Sequence, residues 1–310
     1  MDISFIIITN GKKKTELELQ VKSILNLNIQ NYEIIICGNI DGLEYPNNSR
    51  LVLIEDKYNA ERGSLGGLRN NACGQAKYEN LVISDDDMLF SLDWYQNLLT
   101  APSFDILTTC IKNPDGTRFW DNSCYMSPIK GHINLNYTEQ DDYIYMSGGQ
   151  SWLIKKNRWN QVKWNEDILI YEMKSRKDYA DGKHNEDTDF SLRCREAGFK
   201  ITHYPKVLVY HNDKSYSSLG RIIFRRNFMK TPEWTLNLNF PEVFLIDFAS
   251  KLLSSSLIEG ADILRSLAKS GSVYANLTLD NYENSLGGKL ENSNFSIYDK
   301  TYMNLFESLL

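Results

Sequence analysis

Leu81-Val82-Ile83-Ser84-Asp85-Asp86-Asp87 joins an apolar run to three consecutive carboxylates. The run reads as a buried strand, so the acids stand at its carboxyl end. Like charges a few ångströms apart do not all stay ionised unless a cation sits among them. Hard divalent ions such as Mg²⁺ and Mn²⁺ take oxygen ligands and often hold a substrate's phosphates as well. Strand, acidic triplet and loop therefore read as a metal–diphosphate site. The plainer reading is a solvated acidic turn.

Upstream of this stretch the chain alternates between two periods. Ile3–Ile8 is an Ile-rich run with Phe5 and a single Ser4, the pattern of a parallel strand buried on both faces. Thr15 to Leu27 sets Leu17, Val21, Ile24 and Leu25 on one helical face. Tyr32–Cys37 and Leu51–Ile54 read as further strands, and Leu65, Leu68, Ala72 and Ala76 as one face of a second helix. This β-α-β alternation predicts a parallel sheet with helices on both faces. In open sheets of that kind ligands bind beyond the carboxyl ends of the strands. Thr9-Asn10-Gly11, Gly38-Asn39, Asp56 and the acidic triplet all fall at those ends.

Downstream the pattern loosens. Ile106–Ile111 reads as a strand and Asn113-Pro114-Asp115-Gly116 as a turn. Ser147-Gly148-Gly149 precedes the apolar Trp152-Leu153-Ile154, and the charged stretch 166–186 reads as a mobile loop. Phe190, Cys194 and Ala197 mark a helix closed by Gly198; the strand Val207–Tyr210 then leads to His211. Beyond 215 the character changes. Residues 221–230 mix Arg and Lys with Ile and Phe, and 242–268 form an amphipathic helical pattern.

Composition bounds the function. The chain has 310 residues, 42% hydrophobic and 24% charged, enough for one large α/β domain or a domain with an extension. A net charge of −6 argues against a general nucleic-acid binder. Cys37, Cys73, Cys110, Cys124 and Cys194 form no CxxC pair and read as reduced and mostly buried, in a cytoplasmic protein. Asp2 precedes the first strand and no cleavage pattern follows, so no signal peptide is expected. No apolar stretch is long enough to span a bilayer.

Taken together, these residues resemble glycosyltransferase family 2, inverting enzymes of the GT-A fold. Ile6-Ile7-Ile8-Thr9 is similar to the family's opening strand, and Ser23-Ile24-Leu25 with Tyr32–Ile36 to its first helix and second strand. Leu68-Arg69-Asn70 stands in place of its Ala-Arg-Asn helix, and Asp85-Asp86-Asp87 matches its Asp-x-Asp metal motif. Gly148-Gly149 with Leu153–Lys156 resembles the turn and strand on the acceptor side. The fullest match is Glu186–Arg193 through Arg195–Phe199, then Pro205, His211 and Arg226-Asn227. The resemblance covers residues 3–230 in order. Three departures stand out: Gly38-Asn39 replaces the usual acids after the second strand, Ile8 replaces the proline before the first Thr, and the Glu61-Arg62-Gly63-Ser64 segment is unusual.

The resemblance implies a GT-A type, Rossmann-like, mostly parallel sheet flanked by helices. It would occupy 1–214, with a donor half of about 1–100 and an acceptor half of about 101–214; residues 215–310 would be a mainly helical C-terminal extension. It implies sugar transfer from a nucleotide-sugar, a UDP-sugar being favoured, with Mn²⁺ or Mg²⁺ as cofactor. The acceptor is a glycan, a lipid-linked glycan or a protein. Thr9, Asn39, Arg69, Asp85 and Asp86 would bind the donor, and Asp85, Asp87 and His211 the metal. Asp187 would be the general base; Gly149, Trp152 and Glu186 would face the acceptor.

Each residue has a duller reading. Asp187 is placed to cap the following helix. Arg69 is a solvated helix residue, Trp152 a core aromatic, and His211 a satisfied strand-end histidine. The 221–230 segment grips a lipid-diphosphate acceptor or the inner face of a membrane, or packs on the core. The 242–268 helix packs on the domain or makes a homo-oligomer contact. A sugar nucleotidyltransferase and a non-catalytic glycan-binding scaffold are the competing functions. The first lacks its glycine-rich loop here, since Thr9-Asn10-Gly11-Lys12-Lys13-Lys14 is a poor substitute.

Overall fold

The computed structural model describes residues 1–43, 48–112, 114, 123–127, 131–134, 144–145, 152–171, 185–212 and 300–309. The elements are β1 (Ile3–Thr9), α1 (Lys14–Leu25), β2 (Tyr32–Gly38), β3 (Leu51–Glu55), α2 (Lys57–Arg62), α3 (Leu65–Gln75), β4 (Asn80–Ser84), β5 (Met88–Phe90) and α4 (Trp94–Leu98). They continue with β6 (Ile106–Lys112), β7 (Ser123–Ser127), β8 (Gly131–Asn134), β9 (Ile144–Tyr145), β10 (Trp152–Lys155), α5 (Lys156–Gln161), α6 (Glu186–Glu196), β11 (Ile201–His211) and α7 (Lys300–Leu309).

An eight-stranded sheet runs in the order β3-β2-β1-β4-β10-β6-β11-β5. The strands β3, β2, β1 and β4 are parallel, as are β6 and β11. Strand β10 is antiparallel to both β4 and β6, and β5 is antiparallel to β11. The two reversals at β10 bring β6 and β11 back to the direction of β4. His211, the last residue of β11, therefore lies at the same edge as the acids after β4. The strands β8-β7-β9 form a separate small sheet.

The sheet is sandwiched because its strands are apolar on both faces. Ile3, Phe5 and Ile7 pack with Leu17, Val21 and Ile24 of α1 and with Trp94 and Leu98 of α4. Ile6 and Ile8 point the other way, into a cluster with Leu68 and Ala72 of α3, Trp159 of α5, and Phe190 and Cys194 of α6. A period of two along β1 thus serves two helical layers. Cys37, Cys73, Cys110 and Cys194 are buried free thiols, as their scatter suggests.

The strand ends are drawn tightly together. Gly38 has φ +143°, and a Cβ there would lie 1.8 Å from the Thr9 carbonyl oxygen. Only glycine fits this approach. The Asn39 amide then donates to Thr9 O at 3.1 Å, and the Asp56 amide to Gly38 O at 2.9 Å.

One expectation changes. The stretch beginning at 166 is not loose at its start: Ser64 Oγ donates to Glu166 O at 2.7 Å, Arg62 donates to the same oxygen at 3.0 Å, and the Ile170 amide donates to Gly63 O at 3.0 Å. Arg62, Gly63 and Ser64 thus hold residues 166–170 in place. The short strand β5 was not anticipated, because three apolar residues carry no period of their own. Of the extension 215–310, only α7 is described. Its Leu305 and Leu309 pack on Leu19, Leu89 and Tyr210, and Lys22 Nζ donates to Leu309 O at 3.1 Å. The 221–230 and 242–268 segments lie outside the described residues. Among the described residues no helix is long and apolar enough to cross a membrane.

Candidate active site

The three acids diverge. Because β1 and β4 run in register with Ile7 opposite Ser84, Thr9 falls beside Asp86, and Thr9 Oγ1 donates to Asp86 Oδ2 at 2.6 Å. Burial, with Asp87 adding its repulsion, pushes Asp86 up to about 7 despite that hydrogen bond. Asp85 and Asp87 take other partners. The triplet is held at both ends by one side chain from α1. Gln20 Nε2 donates to Ser84 Oγ at 2.7 Å, and its Oε1 accepts from the Met88 amide at 3.4 Å. Replacing Gln20 by Ala leaves a buried amide unpaired and frees the turn. The expected loss is about 1–3 kcal/mol of folding stability, read from a urea titration.

Asp87 is almost fully buried and carries two basic neighbours on one oxygen. Lys13 Nζ lies 2.5 Å and His211 Nε2 3.3 Å from Oδ2. The other oxygen, Oδ1, is buried with no hydrogen-bond partner among the described residues. Burial alone raises the carboxyl. The His211 ring and the Lys13 ammonium outweigh it and hold Asp87 well below the usual carboxylate range. The pairing of β5 with β11 sets this geometry, with His211 opposite Met88 and the Asn212 amide donating to Asp87 O at 2.6 Å.

Asp85 turns toward Arg69. That guanidinium is the hub of the site: Nη1 reaches Asp187 Oδ1 at 2.8 Å and Glu186 Oε1 at 3.3 Å, and Nη2 reaches Asp85 Oδ1 at 3.5 Å. Arg69 is 1% exposed. Burial disfavours its charge, but Asp187, Glu186 and Asp85 outweigh burial and keep it protonated. The aromatic rings behind it complete the nest. Trp152 and Trp164 stack with centroids 5.9 Å apart, Trp164 and Phe190 at 3.9 Å, and the guanidinium carbon lies 5.2 Å from the Trp152 ring.

Asp187 owes its place to the first turn of α6. The capping role falls to Asn185, whose side chain accepts from the Thr188 amide at 2.9 Å, so the expectation of Asp187 as cap is corrected. Asn followed by acids is a recognisable helix start, and that signal locates the cap. Asp187 is 1% exposed, and burial, reinforced by the Glu186 charge, raises its carboxyl well above the ordinary value even against Arg69.

Arg69 meets acids, not open space, because three carboxylates close on it. Trp152 is buried in the core, 2% exposed, with Trp164 against its ring. Asn39 stands at the end of β2, where its Oδ1 accepts from the Asp41 amide at 3.1 Å. Gly149 lies outside the described residues. The expected metal trio is only partly gathered: among the described residues no three His, Cys, Asp or Glu side chains are grouped to hold an ion, because Asp85 leans on Arg69. Asp87 and His211 are the pair that fits one. A hard carboxylate oxygen left unpaired beside an imidazole suits Mn²⁺ or Mg²⁺, which take one or two protein ligands and complete their shell with water and substrate phosphate. Lys13 was missed as a site residue; its run of three lysines reads from sequence as a solvated loop.

No family model matches the chain, and no curated protein matches it significantly. Among solved structures it is similar to Staphylococcus aureus TarS 1-349, at 14% identity and a TM-score of 0.46, over 91% of this chain and 89% of that one. It is similar to the same TarS piece in complex with UDP-GlcNAc, at 16% identity and a TM-score of 0.45, over 92% and 80%. A third likeness is to the mannosyltransferase PcManGT of Pyrobaculum calidifontis in complex with GDP-Man and Mn²⁺, at 14% identity and a TM-score of 0.45, over 99% and 86%.

Proposed function

We propose that the chain is a metal-dependent, inverting glycosyltransferase of the GT-A type. It moves a sugar from a nucleoside-diphosphate donor to a hydroxyl of a glycan, lipid-linked glycan or protein. The observation that carries this reading is the single guanidinium of Arg69 spanning Asp85 of the acidic triplet and Asp187 of α6. It sets a donor-side acid and a candidate base at opposite ends of one fork.

Asp187 accepts the acceptor's hydroxyl proton as that oxygen bonds to the anomeric carbon. The bond from that carbon to the diphosphate breaks, and the nucleoside diphosphate leaves with the electron pair. A raised carboxyl suits Asp187 for this work, since a base tuned toward neutral pH transfers protons more effectively than an ordinary aspartate. Arg69 orients Asp187 and Asp85 against their mutual repulsion. Asp87 and His211 would hold the divalent ion, which neutralises charge on the leaving diphosphate. Thr9 and Asp86, with Asn39 near them, line the ends of β1, β4 and β2, where the nucleoside would lie.

Calorimetry with UDP, GDP, dTDP, ADP and CMP, each with and without Mn²⁺, tests the reading. The expected result is binding of one diphosphate, UDP first among them, that requires the metal. Absence of binding to every nucleotide under both conditions sinks it.

A further inference from the structure

Arg69 grips Asp187 directly, and the next residue of α3 is tied to a different part of the chain. Asn70 is buried and uses every hydrogen bond that an amide side chain has. Its Nδ2 donates to Trp164 O and to Glu166 Oε1, both at 2.9 Å. Its Oδ1 accepts from the Trp164 amide at 3.1 Å and from Trp159 Nε1 at 3.2 Å. One side chain therefore holds Trp164 by both of its backbone groups. The stretch it holds lies directly on the helix: a Cβ at Gly66 would stand 2.5 Å from the Asn165 carbonyl oxygen.

The Trp164 ring carries this anchorage to the site. Its indole N–H is buried with no hydrogen-bond partner among the described residues, so backbone bonds and stacking fix the ring. Phe190 stacks on it at 3.9 Å, and the Arg69 guanidinium carbon lies 5.7 Å from its centroid. Phe190 stands three residues after Asp187 on α6, on the same side of that helix. Trp164 thus backs both partners of the Arg69–Asp187 ion pair, the guanidinium itself and the helix that bears the carboxylate.

We propose that Asn70 is a positioning residue for Asp187: by fixing Trp164 it sets where Arg69 and α6 place that carboxylate. The proposal rests on the reading of Asp187 as the general base. Asn70 acts through Trp164, so losing its bonds misplaces the base without removing it and leaves the metal–diphosphate side intact. A misplacement of about 1 Å costs about 10²-fold in rate.

The test compares the full wild-type chain with Asn70→Leu, Asn70→Asp and the double variant Asn70→Asp/Glu166→Gln. The last reverses donor and acceptor across the bond between these two side chains. Each is also combined with Asp187→Asn, and urea unfolding gives an equilibrium constant for every form. The hydrogen bonds of Asn70 and of Asp187 have no residue in common among the described residues, so an Asn70 that only stabilised the fold would multiply its effect with that of Asp187→Asn. The expected result is a departure from that product of about fivefold or more in Asn70→Leu and Asn70→Asp. Calorimetry should show binding of UDP with Mn²⁺ unchanged. Turnover of glycosyl transfer should fall about 10–100-fold at unchanged donor KM, and recover in Asn70→Asp/Glu166→Gln. Asn70→Asp keeps both accepted bonds and decides the matter where Asn70→Leu does not fold. Agreement with the product to within about twofold, or unchanged turnover, overturns the proposal. If that occurs while wild type binds UDP only with Mn²⁺ and Asp187→Asn abolishes transfer, the functional reading stands and the role of Asn70 alone falls. If wild type binds no nucleotide with or without Mn²⁺, both fall together.

Discussion

Asp187→Asn is expected to lower the turnover of glycosyl transfer by about 10²–10⁴-fold while nucleotide binding persists, the loss typical of a missing general base. The side chain keeps its shape, and its amide oxygen can still accept from Arg69 Nη1, which now lies 2.8 Å from Asp187 Oδ1. What is removed is proton acceptance and one of the three negative charges around Arg69. The pH dependence identifies the residue. Burial and the Glu186 charge raise the Asp187 carboxyl, so wild-type activity should climb with pH along a limb above the usual carboxylate range. The variant should lose that limb. Stability runs in the opposite sense. A carboxyl raised in the fold binds more protons there than in the unfolded chain, so its contribution falls as pH climbs from the ordinary value to the raised one. Asn carries no such dependence, and the variant should gain on wild type in thermal melts as pH rises through that interval. Turnover unchanged, with the limb intact, would place the base elsewhere.

Arg69→Met is the largest stability change expected. Asp85, Glu186 and Asp187 share this one guanidinium, and removing it leaves buried carboxylates facing one another. Breaking a buried ion pair from one side costs about 3–5 kcal/mol, a large part of the stability of an ordinary domain. Urea unfolding at neutral pH should show the unfolding free energy falling by that amount, with the midpoint moving to lower urea. Lowering the pH should recover part of it, because protonated acids no longer repel. Arg69→Lys keeps the charge but loses the planar fork and the ring contact, and should fall between the two. Combining Arg69→Met with Asp187→Asn should cost less than the sum of the single changes, since the second removes a charge that the first stranded. A loss below about 1 kcal/mol would mean that the acids are not held as charged groups by Arg69.

The layered α/β architecture was legible because it depends on local pattern. The Ile-rich runs of β1 and β2 read as strands from local pattern, and Leu17, Val21 and Ile24 form one helical stripe by their spacing. Parallel pairing placed Thr9, Gly38, Asp56 and the acidic triplet at one edge, and the structure has them there. The partners of the charges were not legible. Whether Arg69 meets a ligand, water or Asp187 depends on a contact across more than a hundred residues, set by how α3 and α6 pack on the sheet. Lys13 shows the same limit: its triplet of lysines has no period, and its bond to Asp87 exists only because β1 and β4 are neighbours. The sequence by itself determined the strands, the helices and the edge at which the acids gather, because hydrophobic period is a property of neighbours in the chain. Only the tertiary structure decided which cation each acid holds and which acid is raised. Burial and charge pairing are properties of neighbours in space.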